Sequence, residues 1–510
     1  MSQSKISTDQ RKAPQKKRSS DRVRRKKINR FVRIAGRIAF ILQALLSLFL
    51  LIRIGGAGLL PWKYMALIAI VLLVLCAVTF LMNLRRDRVI RSIGLAISVI
   101  VMIVILMLNS YFGKAMGLMS AGNSTYKTDD MVVAVKADDP AQDITDASSY
   151  VYGVHKPRGE SGGSTAMIED IENRLGKSIT VKEYDNDAQV AEALLNGEVD
   201  AAIYNQAYAS VLDDMFEGYE GKVKVIDHYG IQTDIEKESV DAGAPFNVLI
   251  SGIDMYGDIS QTSRSDVNII ATINPQTKTI LLTSTPRDYY VTIPDVSGEQ
   301  RDKLTHAGIY GVDASMRTLE NLYDIDITYF VRVNFDTLIK LVDALDGLEI
   351  YVEYPFQCYT DEYYFEKGWH DMFGDQVLAF VRERYSFADG DNQRGRNQEM
   401  VIKLLIDKLM SPAVLTNLDG VLDSLDGCYQ MNIPEKKIAE LVKMQLSDNA
   451  SWTVLKQTAS QGESELATTY SGGSTPLYIM WPDDASVKVN STRINMILED
   501  RPLLAQKQAK

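Results

Sequence analysis

The sequence predicts an α/β protein in which a mixed sheet flanked by helices, with a smaller α/β domain, follows three transmembrane helices. Three features support this prediction: a basic leader, an apolar stretch over residues 38–112, and a remainder in which strand patterns alternate with helix patterns. The 510 residues allow about three domains at roughly 150 residues each. The balanced glycine, proline and aromatic content excludes a disordered or collagen-like chain.

The net charge of −11 is an average over two very different parts of the chain. Residues 1–37 carry fourteen Lys or Arg against Asp9 and Asp21, whereas residues 121–510 hold a net charge of about −29. No apolar helix-turn-helix pattern accompanies the basic leader, so we expect no nucleic-acid partner. The leader is expected to set membrane topology and to meet anionic lipid headgroups.

Residues 38–58, 64–84 and 93–112 are predicted to be three transmembrane helices. Each is close to the ~20 helical residues that a bilayer core of ~30 Å requires. Three spans behind a long basic leader exclude a cleaved signal peptide. The leader and the basic loop Arg85–Arg88 share one side, which the positive-inside rule assigns to the cytoplasm. We therefore expect a multi-pass cell-membrane protein whose residues 113–510 lie outside the cell.

Residues 122–232 are predicted to form a small accessory α/β domain, because short apolar strand patterns alternate there with helix patterns. The Gly/Ser-rich loop 158–165 precedes a helix but lacks the GK[ST] ending of a phosphate-binding loop, so we interpret it as a turn. The segment ALLNGEVDAAIYN weakly resembles part of a solute-binding protein. A spacer or protein-contact role is favoured over a ligand site, and both stay open.

Residues 246–510 are predicted to form the main domain, a mixed sheet flanked by helices. The pattern indicates strands at Asn247–Ile253, Val267–Ile273 and Lys278–Thr285, the last two joined as a hairpin. Amphipathic patterns indicate one helix over Gly311–Ile325 and another in the segment GDQVLAFVRER, which ends at Arg384.

Charged residues lie where these predicted strands begin or end. They are Asp254, Arg264, Asp266, Arg287 and Asp288. Ligand sites in open α/β sheets gather at strand ends, so we expect these side chains to converge. Two carboxylates suit Mg²⁺, and guanidinium groups match phosphate oxygens in a bidentate geometry.

Further arginines lie on the helices that follow. Arg394 and Gln398 are four residues apart and share a helix face. Arg382 and Arg384 diverge on a regular helix, so they reach one site only if the helix ends there. For any single arginine, including Arg396, a surface ion pair is the simpler interpretation.

The cysteines leave one question open. Cys358 and Cys428 are both predicted to be extracellular, where a disulfide is possible in principle. Four histidines and the absence of a CxxC motif argue against a zinc site.

The chain resembles the LytR-CpsA-Psr family. The resemblance covers Asn247–Pro412 and rests on ISGID, RSDVNIIATINPQTKTILLTSTPRDYYV, KLTHA, VRER and DNQRGRNQE, in that order. The three spans and the accessory unit look most like its capsule- or exopolysaccharide-associated branch. The resemblance implies an enzyme, a membrane-anchored phosphotransferase. Such an enzyme uses Mg²⁺ to move a glycopolymer (capsular polysaccharide, exopolysaccharide or teichoic acid) from a polyprenyl pyrophosphate carrier onto peptidoglycan.

The resemblance also implies roles for individual residues. Asp254 and Asp266 would bind the metal and, with Arg287, act in catalysis. The residues implied to bind the pyrophosphate are Arg264, Arg287, Arg382, Arg384, Arg394 and Gln398. Asp288 and Asp391 would support the site.

Some positions depart from the family pattern or receive no firm role. Lys303 and His306 belong to KLTHA but are assigned no function. Many members have an Arg and paired Gln where this chain has Asn397, Gln398 and Glu399. Whether Arg396 replaces that arginine is open, as is the choice of Asp254 or Asp266 as general base.

A polyprenyl tail requires an apolar groove. Val377, Phe380, Val401 and Leu405 are candidates to line it, although ordinary core packing is the simpler interpretation for each. Two other functions stay open: hydrolysis of the lipid pyrophosphate, and a non-enzymatic membrane sensor or regulator of the polysaccharide synthesis machinery, including a transcriptional attenuator.

Overall fold

The computed structural model describes the following parts of the chain: residues 13–121, 126–156, 163–235, 243–253, 259–359, 362–388, 390–409, 418–425, 427–448, 450–459 and 461–501. The chain divides into two compact units. One comprises Met1–Met116 with Ala439–Asn449, and the other comprises Gly117–Ile438 with Ala450–Lys510.

Three long helices open the chain: α1 (Ala13–Ala57), α2 (Trp62–Leu84) and α3 (Arg88–Ala121). Each contains a stretch that is long and apolar enough to cross a membrane, as the sequence predicted. The helices extend beyond the predicted spans, because Lys and Arg in the leader favour helix and let α1 begin before its apolar part. Within α1, Arg53 donates to the carbonyl and the side chain of Asn109 at 3.3 and 3.4 Å.

The accessory part contains a five-stranded sheet in the order β3-β2-β4-β1-β5. Strand β2 runs parallel to β3 and β4, whereas β1 is antiparallel to β4 and β5. The elements are β1 (Tyr126–Lys136), β2 (Val151–His155), α4 (Gly163–Leu175), β3 (Thr180–Tyr184), α5 (Asp187–Asn196), β4 (Ala201–Asn205), α6 (Ala209–Met215), α7 (Tyr219–Lys222) and β5 (Val223–Asp234).

The main part contains a six-stranded mixed sheet flanked by helices, which confirms the predicted fold class. Its order is β16-β11-β6-β7-β8-β17, with β11 parallel to β6 and β17 parallel to β8. The elements up to α11 are β6 (Phe246–Ile253), β7 (Ser265–Asn274), β8 (Thr279–Ser284), β9 (Tyr290–Thr292), β10 (Arg301–Lys303), α8 (Leu304–Ala307), α9 (Val312–Tyr323), β11 (Tyr329–Val333), α10 (Phe335–Ala344), β12 (Leu348–Val352), β13 (Phe356–Gln357), β14 (Tyr364–Phe365), β15 (Gly368–Met372) and α11 (Gly374–Arg382). The remaining elements are α12 (Asp391–Leu409), α13 (Leu418–Leu425), β16 (Tyr429–Met431), α14 (Glu435–Asp448), β17 (Thr453–Thr458), β18 (Gln461–Thr468), β19 (Pro476–Pro482) and α15 (Asp484–Leu498).

The two faces of this sheet have different surroundings. Because successive side chains of a strand point to opposite faces, Leu249 of β6 faces a packed core that includes Leu319 of α9 and Ile494 of α15. Its neighbours Val248 and Ile250 face a cavity of about 1260 Å³, which α10, α11 and α12 also line. An apolar face that borders a cavity instead of a packed core has room for an apolar ligand.

The candidates for an apolar groove divide between cavity and core. Val401 and Leu405 of α12 line the cavity. Val377 and Phe380 of α11 belong only to the core formed with β12 and β15, which Val401 also joins, so ordinary core packing, the simpler interpretation, holds for these two.

Cys358 and Cys428 are both buried thiols, and the described part of the chain contains no disulfide between them. The Cys358 sulfur lies 3.9 Å from the carbonyl oxygen of Ala379, and the Cys428 sulfur lies 3.5 Å from the Lys340 amine.

Candidate functional site

The cavity is polar at one end and apolar over most of its remaining surface. Its charged lining residues are Arg264, Arg287, Lys303, Arg382, Arg384 and Arg394, with Asp214, Asp266 and Asp288. Six cations against three carboxylates leave an excess of three positive charges. The apolar lining includes Val248, Ile250, Ala271, Leu282, Val331, Leu338, Leu341, Val401, Ile402 and Leu405. Such a cavity matches an amphiphile with an anionic head.

Asp266 and Arg287 form the centre of the polar end. Strands β7 and β8 are antiparallel, with Ile269 opposite Ser284, so the beginning of β7 lies beside the loop that follows β8. An Arg287 Nη1 donates to Asp266 Oδ2 at 2.5 Å, and the Thr305 hydroxyl donates to Asp266 Oδ1 at 3.0 Å. Burial alone would raise the pKa of the Asp266 carboxyl, but Arg287, Arg394 and Arg264 outweigh it and hold the pKa well below its usual range.

Asp288 is the second carboxylate of the site and is only 2% exposed at its side chain. Lys303 Nζ lies 2.5 Å from Asp288 Oδ1, and Arg384 Nη1 lies 3.5 Å from Oδ2. Burial opposes ionisation, yet Lys303 and Arg287 lower the pKa of Asp288 below its ordinary value. The ionised Asp288 carboxylate therefore lies beside three cationic side chains, those of Lys303, Arg384 and Arg287.

Arg382 and Arg384 both line the cavity because helix α11 ends between them. Glu383 has an extended backbone, with φ −63° and ψ 132°, so the two arginines no longer diverge as they would on a helix. The Arg382 guanidinium lies 4.5 Å from the centre of the Phe335 ring, which holds it by a cation–π contact. The helix thus ends where the sequence analysis required it to end for both arginines to reach one site.

Helix α12 supplies Arg394 and Gln398, and both line the cavity. Arg394 Nη2 lies 3.4 Å from the backbone oxygen of Asp266, and Gln398 Nε2 donates to the carbonyl of Val381 at 3.3 Å. Gly395 lets helix α12 approach the end of β8 closely, since a Cβ at this position would lie 2.7 Å from the Ser284 hydroxyl oxygen.

Of the residues at the departure from the family pattern, Gln398 lines the cavity, whereas Asn397 and Glu399 do not. Arg396 is not among the lining residues, and its Nε donates to Gln393 Oε1 at 3.1 Å. Glu399 is 2% exposed and accepts from Thr458 at 3.4 Å. Burial raises the pKa of Glu399 to about 8, against the opposing effect of Lys456.

Two of the predicted site residues cannot be placed. Asp254 lies outside the described residues, and so does the side chain of Asp391. His306 is described and buried, but its Nδ1 lies 2.6 Å from Asp302 Oδ1 and it does not line the cavity.

Sequence reasoning missed Asp214 and Tyr385, which line the polar end, and it named Lys303 without assigning it a place there. Lys303 belongs to KLTHA, and the short β9–β10 pairing places it opposite Tyr290, two residues beyond Asp288. Asp214 of α6 comes from the accessory part, and no local pattern connects it with the arginines.

The residues allow a test of whether a metal fits. No group of three or more His, Cys, Asp or Glu is arranged for a metal ion in the part of the chain that the structure describes. Mg²⁺ usually needs only one or two carboxylates in addition to substrate phosphates and water. Asp266 is ionised at the polar end, so its side chain is compatible with that mode of binding.

Two named transferases and one solved structure are similar to parts of this chain. The teichoic acid transferase TagT of Bacillus subtilis is 36% identical over 201 residues, which is 38% of this chain and 61% of TagT. TagU of Enterococcus faecalis, named a polyisoprenyl-teichoic acid–peptidoglycan teichoic acid transferase, is 34% identical over 220 residues, 43% of this chain and 70% of TagU. A structure titled "TagT bound to LI-WTA" matches 51% of this chain and 94% of its own at 29% identity, with a TM-score of 0.41.

The family model LytR_cpsA_psr matches residues 209–479, more than half of the chain. This match includes α6, the six-stranded sheet and each arginine of the polar end. The chain therefore belongs to the LytR-CpsA-Psr family.

Proposed function

We propose that this protein is a membrane-anchored phosphotransferase that transfers a glycopolymer from a polyprenyl pyrophosphate carrier to peptidoglycan. The observation that carries the proposal is the cavity, which has an excess of positive charge at one end and apolar walls elsewhere. The pyrophosphate would contact the arginines and the polyprenyl chain would lie between the sheet and α12. The transferase names of the two curated relatives support the same reaction.

The arginines would supply most of the catalysis. Phosphoryl transfer needs positioning and neutralisation of developing charge more than covalent chemistry from the protein. Arg287 is held on one side by Asp266 and lies 3.8 Å from Asp288 on the other, so its position is fixed before the substrate binds. Preorganised charge of this kind stabilises the transition state without a reorganisation cost.

Asp266 is poorly suited to act as the general base. Its carboxylate accepts from Arg287 and Thr305, and these charges keep its pKa low. A general base works best with a pKa near the operating pH. We therefore propose that Asp266 does not accept the proton of the acceptor hydroxyl.

Mg²⁺ is part of the proposal. Asp266 and Asp254 would hold it, and the ion would neutralise pyrophosphate charge when bound. The three apolar helices support anchoring in the membrane, and the distribution of basic residues supports a cytoplasmic leader and an external site. The likeness of the three spans and the accessory unit to the capsule- or exopolysaccharide-associated branch favours one of these two polymers as the glycopolymer.

The decisive experiment uses the full chain in lipid nanodiscs with labelled lipid-linked glycan, Mg²⁺ and peptidoglycan. Transfer predicts that label appears on peptidoglycan and that this signal requires Arg287. Free glycan phosphate without labelled peptidoglycan would support hydrolysis instead. If cells with Arg287→Ala keep normal amounts of wall-bound polymer at normal protein levels, the sensor hypothesis would be favoured.

A further inference from the structure

Two exposed tyrosines lie together at the polar end of the cavity. Tyr385 lines the cavity and is 60% exposed, and Tyr359 is 76% exposed. Their ring centres are 4.9 Å apart, with a tilt of 51° between the rings. Large aromatic side chains left in solvent next to a charged cavity are typical of a ligand-binding surface.

A buried carboxylate holds this pair in place. Glu383 is 2% exposed; its Oε2 accepts from the backbone N–H of Tyr359 at 2.6 Å and its Oε1 from that of Ser386 at 2.8 Å. The Ser386 hydroxyl also donates to the carbonyl of Gln357. The two segments that carry the tyrosines therefore both donate hydrogen bonds to one buried side chain, which fixes the position of the pair.

Arg384 connects the pair with the proposed pyrophosphate site. Its guanidinium carbon lies 4.6 Å from the centre of the Tyr385 ring, and Nη2 donates to the Tyr385 hydroxyl at 2.5 Å. The same guanidinium lies 3.5 Å from Asp288. A group bonded to a pyrophosphate at Arg384 would thus be directly beside the tyrosines.

We propose that Tyr359 and Tyr385 form a saccharide subsite that receives the sugar bonded to the lipid pyrophosphate. A pyranose presents C–H bonds on its face, and these pack on the electron-rich face of an aromatic ring. The Tyr hydroxyls add hydrogen-bonding groups for the sugar hydroxyls. This inference rests on the proposed function and adds the residues that recognise the sugar.

The test compares two lipids that differ only in the sugar. Undecaprenyl pyrophosphate and undecaprenyl pyrophosphoryl N-acetylglucosamine are titrated onto the full chain in nanodiscs. Tyr359→Ala and Tyr385→Ala are expected to weaken binding of the sugar-bearing lipid about tenfold and to leave the bare lipid within about twofold. Tyr385→Phe, which keeps the ring, is expected to lose much less.

Trp369→Ala is the matched control. Trp369 is 66% exposed and packs on Tyr351 with ring centres 5.2 Å apart, but it does not line the cavity. This variant should bind both lipids as the wild type does.

Other results would overturn the subsite. An equal loss for both lipids would mean that the tyrosines only position Arg384 or contact the membrane. Unchanged binding of both lipids would exclude recognition of the donor sugar. Wild-type protein that binds bare undecaprenyl pyrophosphate without any preference for the sugar would also refute the subsite, while the proposed function would stand. Failure of the wild type to bind either lipid would refute the proposed function, and the subsite with it.

Discussion

The guanidinium of Arg264 lies 2.8 Å from the carboxylate of Asp214, and this ion pair joins the accessory part to the polar end of the cavity. The Arg264 side chain is 16% exposed, whereas that of Asp214 is 56% exposed. An exposed pair of this kind contributes little to stability because water screens it. We expect the pair to matter instead for ligand binding, because Asp214 reduces the net positive charge of the cavity lining.

Asp214→Asn should strengthen binding of undecaprenyl pyrophosphate severalfold. The substitution removes one of three carboxylates from the lining and leaves all six cations, so the electrostatic attraction for an anion increases. The measurement is a titration of the lipid onto the full chain in nanodiscs at two salt concentrations. The gain should shrink at the higher salt concentration, because salt screens charges near the surface.

Arg264→Gln is the counterpart and should weaken the same binding about tenfold. If Asp214→Asn weakened binding as Arg264→Gln does, the prediction would fail. Asp214 would then be needed to hold Arg264 in a productive position.

Arg287→Lys should reduce glycan transfer by about 10²-fold or more. Lysine keeps the positive charge but lacks the planar fork with which arginine can contact Asp266 and a phosphate together. Transfer of label to peptidoglycan is measured under saturating lipid-linked glycan, so that a loss of affinity does not hide the effect on rate.

Arg317→Lys is the control for this substitution. Arg317 lies near Asp295 and Asp313 at 3.3 and 3.4 Å, and its side chain is 42% exposed and outside the cavity lining. Activity of Arg287→Lys close to that of this control would exclude a special role for the guanidinium.

Leu405→Trp should discriminate between long and short lipid chains. Leu405 lies eleven residues after Arg394 on α12, which corresponds to ~16 Å along the helix. A tryptophan there should obstruct the apolar part of the cavity, so affinity for undecaprenyl pyrophosphate should fall at least about tenfold. Geranyl pyrophosphate, whose tail is much shorter, should bind almost unchanged.

Lys403→Trp places the same side chain on a position that is 40% exposed and does not line the cavity. It should leave both affinities unaltered. Equal losses for the long and the short lipid in Leu405→Trp would argue against a tail in this part of the cavity.

The membrane orientation can be tested by labelling introduced cysteines. In intact cells, a membrane-impermeant maleimide should label Glu463→Cys, whereas Lys27→Cys should react only after permeabilisation. Both positions are exposed in the structure, Cys358 and Cys428 are buried, and Cys76 lies within the apolar helix α2, so background labelling should be low. The reverse pattern would contradict the positive-inside argument.

The sequence could predict the part of the site that depends on local geometry. A hairpin brings the beginning of β7 beside the end of β8, so the convergence of Asp266 with Arg287 follows from strand pairing. Contacts that depend on distant segments were beyond such reasoning. Asp214 is fifty residues from Arg264, and the segment that carries Tyr359 reaches Tyr385 through a hydrogen bond from the Tyr359 N–H to the distant Glu383.

Helical periodicity also reached its limit in two places. It could not show that α11 ends at Arg382, because the extended conformation of Glu383 is stabilised by contacts with other loops. Nor could it separate Val401, which borders both the cavity and a packed core, from Val377, which lies in that core alone. Both are apolar positions of helices that are buried on more than one side, and the pattern is the same for both.

Glu399 should make the stability of the protein depend on pH, and Glu399→Gln should remove that dependence. Its pKa is about 8 in the folded chain, above the ordinary value of 4.5, so the folded state keeps a proton that the unfolded state has lost. This stabilisation is complete below about pH 4.5 and is lost as the pH rises to about 8, by an amount on the order of a few kcal/mol.

The melting temperature of the full chain in detergent should therefore fall between pH 6 and pH 9, and more steeply in the wild type than in Glu399→Gln. Glutamine has nearly the same shape as a protonated glutamate, so the fold should tolerate it. Parallel pH profiles for the two proteins would show that Glu399 is already ionised at neutral pH.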